Sequence, residues 1–480
     1  MRRRGRFVER VHRRMQRSAL LLSVVSAVVG GLLIAGLTWW LLYFLFGAET
    51  ETPNQVDLTK ISLSVTAGVG GAVALVVAYR RQRDNERGRF AELFGAAAKQ
   101  LGDSDVAVRI AGVYAMAGVA DEFSARGRRQ QCIDVLCGYL RMPFDPAEGA
   151  SHLATRAETE LRAEARVERI YRVRQNDSEV RRTIVAVIVA HVRPGVETSW
   201  STYNFNFDDA VLEDVDFRYV VFAGRHTHFR GAVFTGTRMT NFEQAQFRGK
   251  HTTFHGAKFR VAVSFRNARF VPDHIDDASD LGRTGTSFVH STFSGPTTFE
   301  GARFAGPRTR FIDATFAGDQ TVFSRAHFGA ETTTFEGATF DGGRVRFDGT
   351  VFDGARISFA SAHFYAGRVG FDDAHLGARA RWRRSPTDRT DFTSADYHGT
   401  VSFDDAVLAG RLADFSDGDF FGEISFRRTA FAADEVRFDY PKAWVGLHFL
   451  WDNDPSLKPA NVKPDTWPPT PAELPPVPAD

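Results

Sequence analysis

Between residues 311 and 375 the chain repeats a 12-residue unit, and no other feature restricts its fold so strongly. Phenylalanines stand at 311, 316, 323, 328, 335, 340, 347, 352, 359, 364 and 371, so their spacing alternates five and seven, and Leu376 takes the next place. The residue two before each ring is small in one register (Ala314, Ala326, Ala338, Ala362) and β-branched in the other (Thr309, Thr321, Thr333, Val345, Ile357, Val369). Side chains alternate across an extended segment, so both members of such a pair point the same way, which must be inward. A fixed short period is the mark of a stacked solenoid. No 3.6-residue pattern competes with it. Phe-Asp-Gly and Phe-Glu-Gly at 335–337, 347–349 and 352–354 predict tight corners. Of 43 phenylalanines only seven precede residue 200, so 36 serve this region, most of them in internal stacks.

Ala257-Lys258-Phe259, Ala268-Arg269-Phe270, Ala302-Arg303-Phe304 and Ala406-Val407-Leu408 resemble the A-x-[L/F]-x-x unit of the pentapeptide-repeat family. The resemblance runs roughly from Phe205 to Phe438 and implies an all-β right-handed quadrilateral β-helix over residues 203–440. One or two extra residues at every second corner predict about 24 residues per coil rather than 20. A left-handed hexapeptide helix competes, but six-residue spacings are rare (293 to 299, 420 to 426). Two segments break register and read as loops, Val271–Ser287 and Gly377–Asp391. Phe403, Leu408, Phe415, Phe420, Phe426, Phe431 and Phe438 resume the repeat.

The N-terminal eighty residues carry a different signal. Ser18–Ala48 contains no charge, and Ile61–Tyr79 is uncharged between Lys60 and Arg80. About 20 apolar helical residues span a bilayer core, so 18–79 reads as a two-helix transmembrane hairpin with helices at about 19–46 and 61–79. Residues 1–17 hold eight arginines against Glu9, and Arg80, Arg81, Arg83, Arg87 and Arg89 follow the second span, while the intervening loop is acidic. This asymmetry predicts a multi-pass protein of the cell (inner) membrane with both termini cytoplasmic. A cleaved signal peptide is disfavoured by the length of the first span and by its ending in Trp and Phe.

Residues 82–195 read as a cytoplasmic α-helical segment. Asp103 and Ser104 precede one apolar stripe, Cys132 to Leu140 forms another, and Ser178 precedes a last helix ending at Pro194-Gly195. The stretch from Gln100 to Ala120, followed by Cys132–Leu140, resembles the helical linker of membrane-anchored bacterial pentapeptide-repeat proteins, and is also similar to paired α-solenoid helices. Glu158–Arg174 is heavily charged and reads as projecting into solvent. Cys132 and Cys137, five residues apart on a helix, are too distant for a disulfide and are expected in the core. Residues 441–480 read as a cap, with Trp444 and Trp451 closing the last coil, followed by a disordered Pro-rich tail from Asp454.

The sequence holds no Walker loop, G-x-S-x-G, H-E-x-x-H or C-x-x-C. His327, His363 and His375 fall on outward positions. The chain therefore reads as a non-enzyme without catalytic residues, cofactor or metal. Two basic features stand out. Arg308, Arg344, Arg356 and Arg368 each precede a phenylalanine by three, so Arg344 and Arg368 should stack, with Asp341 and Asp353 to neutralise them. Arg379, Arg381, Trp382, Arg383 and Arg384 crowd the second loop and form the predicted interaction site, since solenoids display insertions on a binding face.

The expected function is a membrane-anchored scaffold presenting a rigid β-helix to an unidentified protein partner, with self-association left open. Alternatives are a DNA mimic acting on a DNA-binding enzyme and an oligomeric channel. Residues 201–440 hold 32 acidic against 28 basic residues, far from the charge density of duplex DNA, and nucleic acid is not expected as a partner. Neither span contains an ionisable residue, which disfavours a selective pore.

Overall fold

The computed structural model describes Phe44 and residues 55–146, 155–162, 165–172, 176–273, 284–377 and 388–471. The chain divides into two compact units, Met1–Gly95 and Ala96–Asp480. The first contains most of helix α1, Gln55–Leu101, on which Phe90 and Phe94 stack at 5.4 Å. Helix α1 runs without interruption from the second predicted span through the charged Arg80–Arg89 stretch into the segment that follows. Neither Gly nor Pro interrupts that stretch except Gly88, and a single Gly costs only about 1 kcal/mol. No helix among the described residues is long and apolar enough to cross a membrane. The first predicted span lies outside them apart from Phe44; the second falls within α1.

In the second unit, α2 (Val106–Glu122), α3 (Arg126–Leu140) and α4 (Asp177–Val192) pack around Val113, Met116, Ile133, Leu136, Ile184 and Ile188, all fully buried. The first cap differs from expectation. Asp105, not Asp103 or Ser104, accepts from the Ala107 N–H at 2.7 Å, while Asp103 braces the Asp105 N–H at 2.9 Å. Ser178 makes no cap either, because α4 begins at Asp177 after a left-handed Asn176. Asp177 is drawn instead into a buried cluster. Its Oδ1 accepts from Arg109 Nη1 and Tyr139 Oη, each at 2.5 Å, and its Oδ2 from Arg181 Nε at 2.7 Å. Burial, reinforced by that bond to Asp177, raises the Tyr139 pKa above its ordinary value. Cys132 and Cys137 are free and buried as expected, their thiols pushed by desolvation up to about 11 and about 12.

Between α3 and α4 the all-helical reading fails. Thr155–Arg162 (β1) and Ala165–Arg172 (β2) form an antiparallel hairpin. Its cross-strand pairing sets Glu158 opposite Arg169, an arrangement that favours the sheet. Ile170 and Tyr171 are exposed on it.

The solenoid follows as four parallel sheets of 11, 10, 9 and 9 short strands, one per face. The first face runs from Phe205–Asn206 to Val462–Lys463 and the second from Val211–Glu213 to Ala443–Trp444. The third runs from Thr240–Asn241 to Leu447–His448, and the fourth from Val221–Phe222 to Ala430–Phe431. Pairing sets Thr339 beside His363, Arg344 beside Arg368 and His327 beside Val351, so these coils advance by the expected 24 residues. Each face carries one inner aromatic column. Phe311–Phe335, Phe316–Phe340, Phe323–Phe347 and Phe328–Phe352 stack at 4.6, 5.1, 4.7 and 4.7 Å, and the columns of the opposite first and third faces meet edge to face, as Phe323 and Phe335 do at 89°. Offset stacks along the axis and T-shaped contacts across it are the two favoured aromatic geometries.

Corners explain the acidic-Gly motifs only in part. The residue two after a first-face or third-face ring adopts left-handed φ, as Asp313 (51°), Arg325 (58°), Gly337 (63°) and Gly349 (64°) do. Gly354 has no such angle and serves another purpose: a Cβ there would collide with the Ala330 carbonyl of the preceding coil.

The predicted loops are shorter than their expected bounds, because Gly285–Ser287 and Arg389–Asp391 already pair with His251–Thr253 and Arg356–Ser358. The solenoid also passes residue 440. Ala443–Trp444, Leu447–His448 and Val462–Lys463 are strands of its faces, and Trp467, assigned to the disordered tail, packs edge-on against Trp444 at 5.3 Å and Phe449 at 5.1 Å. Trp451 stacks on Phe449 at 4.8 Å, so four large rings close this end. At the other end, α3 covers the first coil. Gln130 exchanges bonds with the Asn204 main chain at 2.8 and 3.0 Å, and Arg126 donates to the Thr202 carbonyl at 2.7 Å. Buried Trp200 donates to Asp121 at 2.8 Å and stacks on His191 at 4.1 Å. The helices expected as a linker thus act as a cap.

Candidate anion-binding groove

Arg379, Arg381, Trp382, Arg383 and Arg384 lie outside the described residues, although both flanking strands are in place and Arg389 pairs with Asp414 at 3.0 Å. The predicted arginine edge forms in part. Arg344 and Arg368 are register partners on the third face, but Thr332 separates Arg308 from Arg356 on the first. Asp353, expected to neutralise them, faces His327 at 3.7 Å instead.

A second basic surface lies on the fourth face. There the middle residue of each A-x-F unit points outward while Ala and Phe are buried, so Gln246, Arg269, Arg303 and His327 form one outer column in register. The corner before each strand adds Gln244, Asn267, Gly301 and Arg325, all at left-handed φ between 55° and 65°. Arg266 and Glu300 complete a groove of about 900 Å³. Its charges are unevenly matched. Glu300 pairs with Arg325 and lies 3.4 Å from Arg266 Nε, whereas Arg269 and Arg303 are exposed and have no ion-pair partner among the described residues. Parallel strands lie about 4.8 Å apart. The Arg269 and Arg303 backbones therefore lie about 4.8 Å apart, and their exposed guanidinium groups have no carboxylate partner among the described residues, an arrangement suited to capture of an anionic group.

Both arginines were visible in the sequence as the variable residue of two matching units. Their adjacency was hidden because the Val271–Ser287 insertion places them 34 residues apart, against 24 for Arg344 and Arg368. Among the described residues no group of three or more His, Cys, Asp or Glu could hold a metal.

The family model described as pentapeptide repeats (9 copies) matches residues 284–327, a span that includes Arg303 and His327 of the groove. No curated protein and no solved structure matches the chain.

Proposed function

We propose that this chain is a membrane-anchored, non-enzymatic scaffold that presents a rigid β-helix for protein docking at the cytoplasmic face. The observation that carries the docking reading is the in-register Arg269–Arg303 pair, exposed on a repeating surface and lacking an ion-pair partner among the described residues. Like charges directly opposite on a sheet are destabilising unless an anion intervenes, so the pair is a feature whose benefit comes with a bound partner. The non-enzymatic part is supported by the interior, where the ring columns are fully buried and fill the coil. The anchor rests on the sequence alone, through the uncharged 18–48 and 61–79 segments with their basic flanks.

In-cell crosslinking of the full chain, followed by alkaline washing of the membranes, tests both halves. The expected result is a chain retained in the pellet and joined to a second protein through residues of the rod. Release into the supernatant contradicts the anchor, and recovery without any protein adduct contradicts docking.

A further inference from the structure

We infer that the fourth-face groove binds an acidic peptide segment of the partner protein, with Arg269 and Arg303 each receiving one carboxylate. This rests on the docking reading above and specifies its chemistry. The backbones of Arg269 and Arg303 pair in register about 4.8 Å apart, while carboxylates two residues apart on an extended chain are separated by roughly 6.6 Å. Two long, exposed arginine side chains readily splay across that difference. An extended segment running along the rod axis therefore meets one guanidinium with every second side chain.

The rest of the lining favours a peptide over other anions. Gln246 and Asn267 offer amide donors and acceptors that suit a peptide main chain. Glu300, fixed by Arg325 and close to Arg266, places a negative charge inside the groove. Discrete carboxylates can be positioned around that charge, but a continuous phosphate backbone is repelled by it. No Phe, Tyr or Trp lines the groove, so it lacks the stacking platform on which single-stranded nucleic acid depends. The arginine fork in turn selects planar carboxylates over a point-like charge.

The test uses the detergent-solubilised full chain and a fluorescent eight-residue Ser-Glu repeat peptide. Its Ser-Gln counterpart and an oligothymidylate serve as comparison ligands. Arg269→Ser with Arg303→Ser should weaken peptide binding at least about tenfold, the loss expected for two charge-assisted bidentate contacts. Arg344→Ser with Arg368→Ser removes the same charge from the third face and should leave binding roughly unchanged. Arg269→Lys with Arg303→Lys keeps the charge and should give an intermediate loss, which guards against a folding defect in the serine variant. Equal loss from the third-face pair, equal binding of the Ser-Gln peptide, tighter binding of the oligonucleotide, or no peptide binding by the wild type would each overturn the inference. If the peptide fails while in-cell protein adducts on the rod persist, the docking reading stands and only the acidic-peptide class falls. Loss of both removes the two together.

Discussion

Thr321 and Val345 are register partners inside the third face, and both are fully buried. The Thr321 hydroxyl has no hydrogen-bond partner among the described residues, so it carries a desolvation cost that its neighbour avoids. Thr321→Val should raise stability by about 1 kcal/mol, seen as a higher melting temperature; a lower one means the hydroxyl is satisfied in solution. The inward assignment of the rings has a sharper test. Phe340 is fully buried between Phe316 and Phe364, and Phe340→Asp should cost about 3 kcal/mol or more, whereas Arg344→Asp on the exposed edge should stay within about 0.5 kcal/mol. Thermal unfolding of the two variants decides, and equal melting temperatures contradict the aromatic core. This inside-outside pattern was legible because alternation along a strand is a local property. Which outward residues become neighbours is not local, and Arg269 and Arg303 went unpaired in the sequence for that reason.

At the scale of elements, the repeat was readable and its ends were not. A repeating unit announces itself by period, but caps are built once and obey no period. Gln130, Arg126 and Trp200 close one end through bonds specific to this chain, and Trp467 closes the other from within a Pro-rich stretch whose composition suggested disorder. The β1–β2 hairpin was obscured by its charges, since Glu and Arg dominate both strands and leave little apolar alternation to detect. The Asp177 cluster was equally invisible, because its members come from three helices and its bonds reach across 68 residues of sequence. Asp177→Asn keeps the shape but leaves Arg109 and Arg181 charged and buried. The cap should lose about 3 kcal/mol or more, measured by chemical denaturation followed by helical circular dichroism. A loss below about 1 kcal/mol means that the cluster is solvated in the native protein.

At the level of the whole molecule the chain comprises a basic-flanked hydrophobic N-terminal stretch, a helical cap and a filled rod of four parallel sheets. The proposed topology rests on arginines on both sides of the proposed hairpin. A fluorescent reporter fused to Asp480 should accordingly be active in the cytoplasm, and alkaline phosphatase fused there should be inactive; the reverse pattern contradicts cytoplasmic presentation. The four faces of the rod carry different outward residues, so the proposed docking through one of them would leave the others vacant. The most direct measurement places a photo-crosslinking residue, one at a time, at Thr332, Thr339, Arg344 and Gln246 of the full chain in cells, one outward position on each of the first to fourth faces. The account predicts a protein adduct from Gln246 that disappears when Arg269 and Arg303 are replaced by Ser. Adducts of equal yield from all four faces, or a Gln246 adduct indifferent to both arginines, would contradict it.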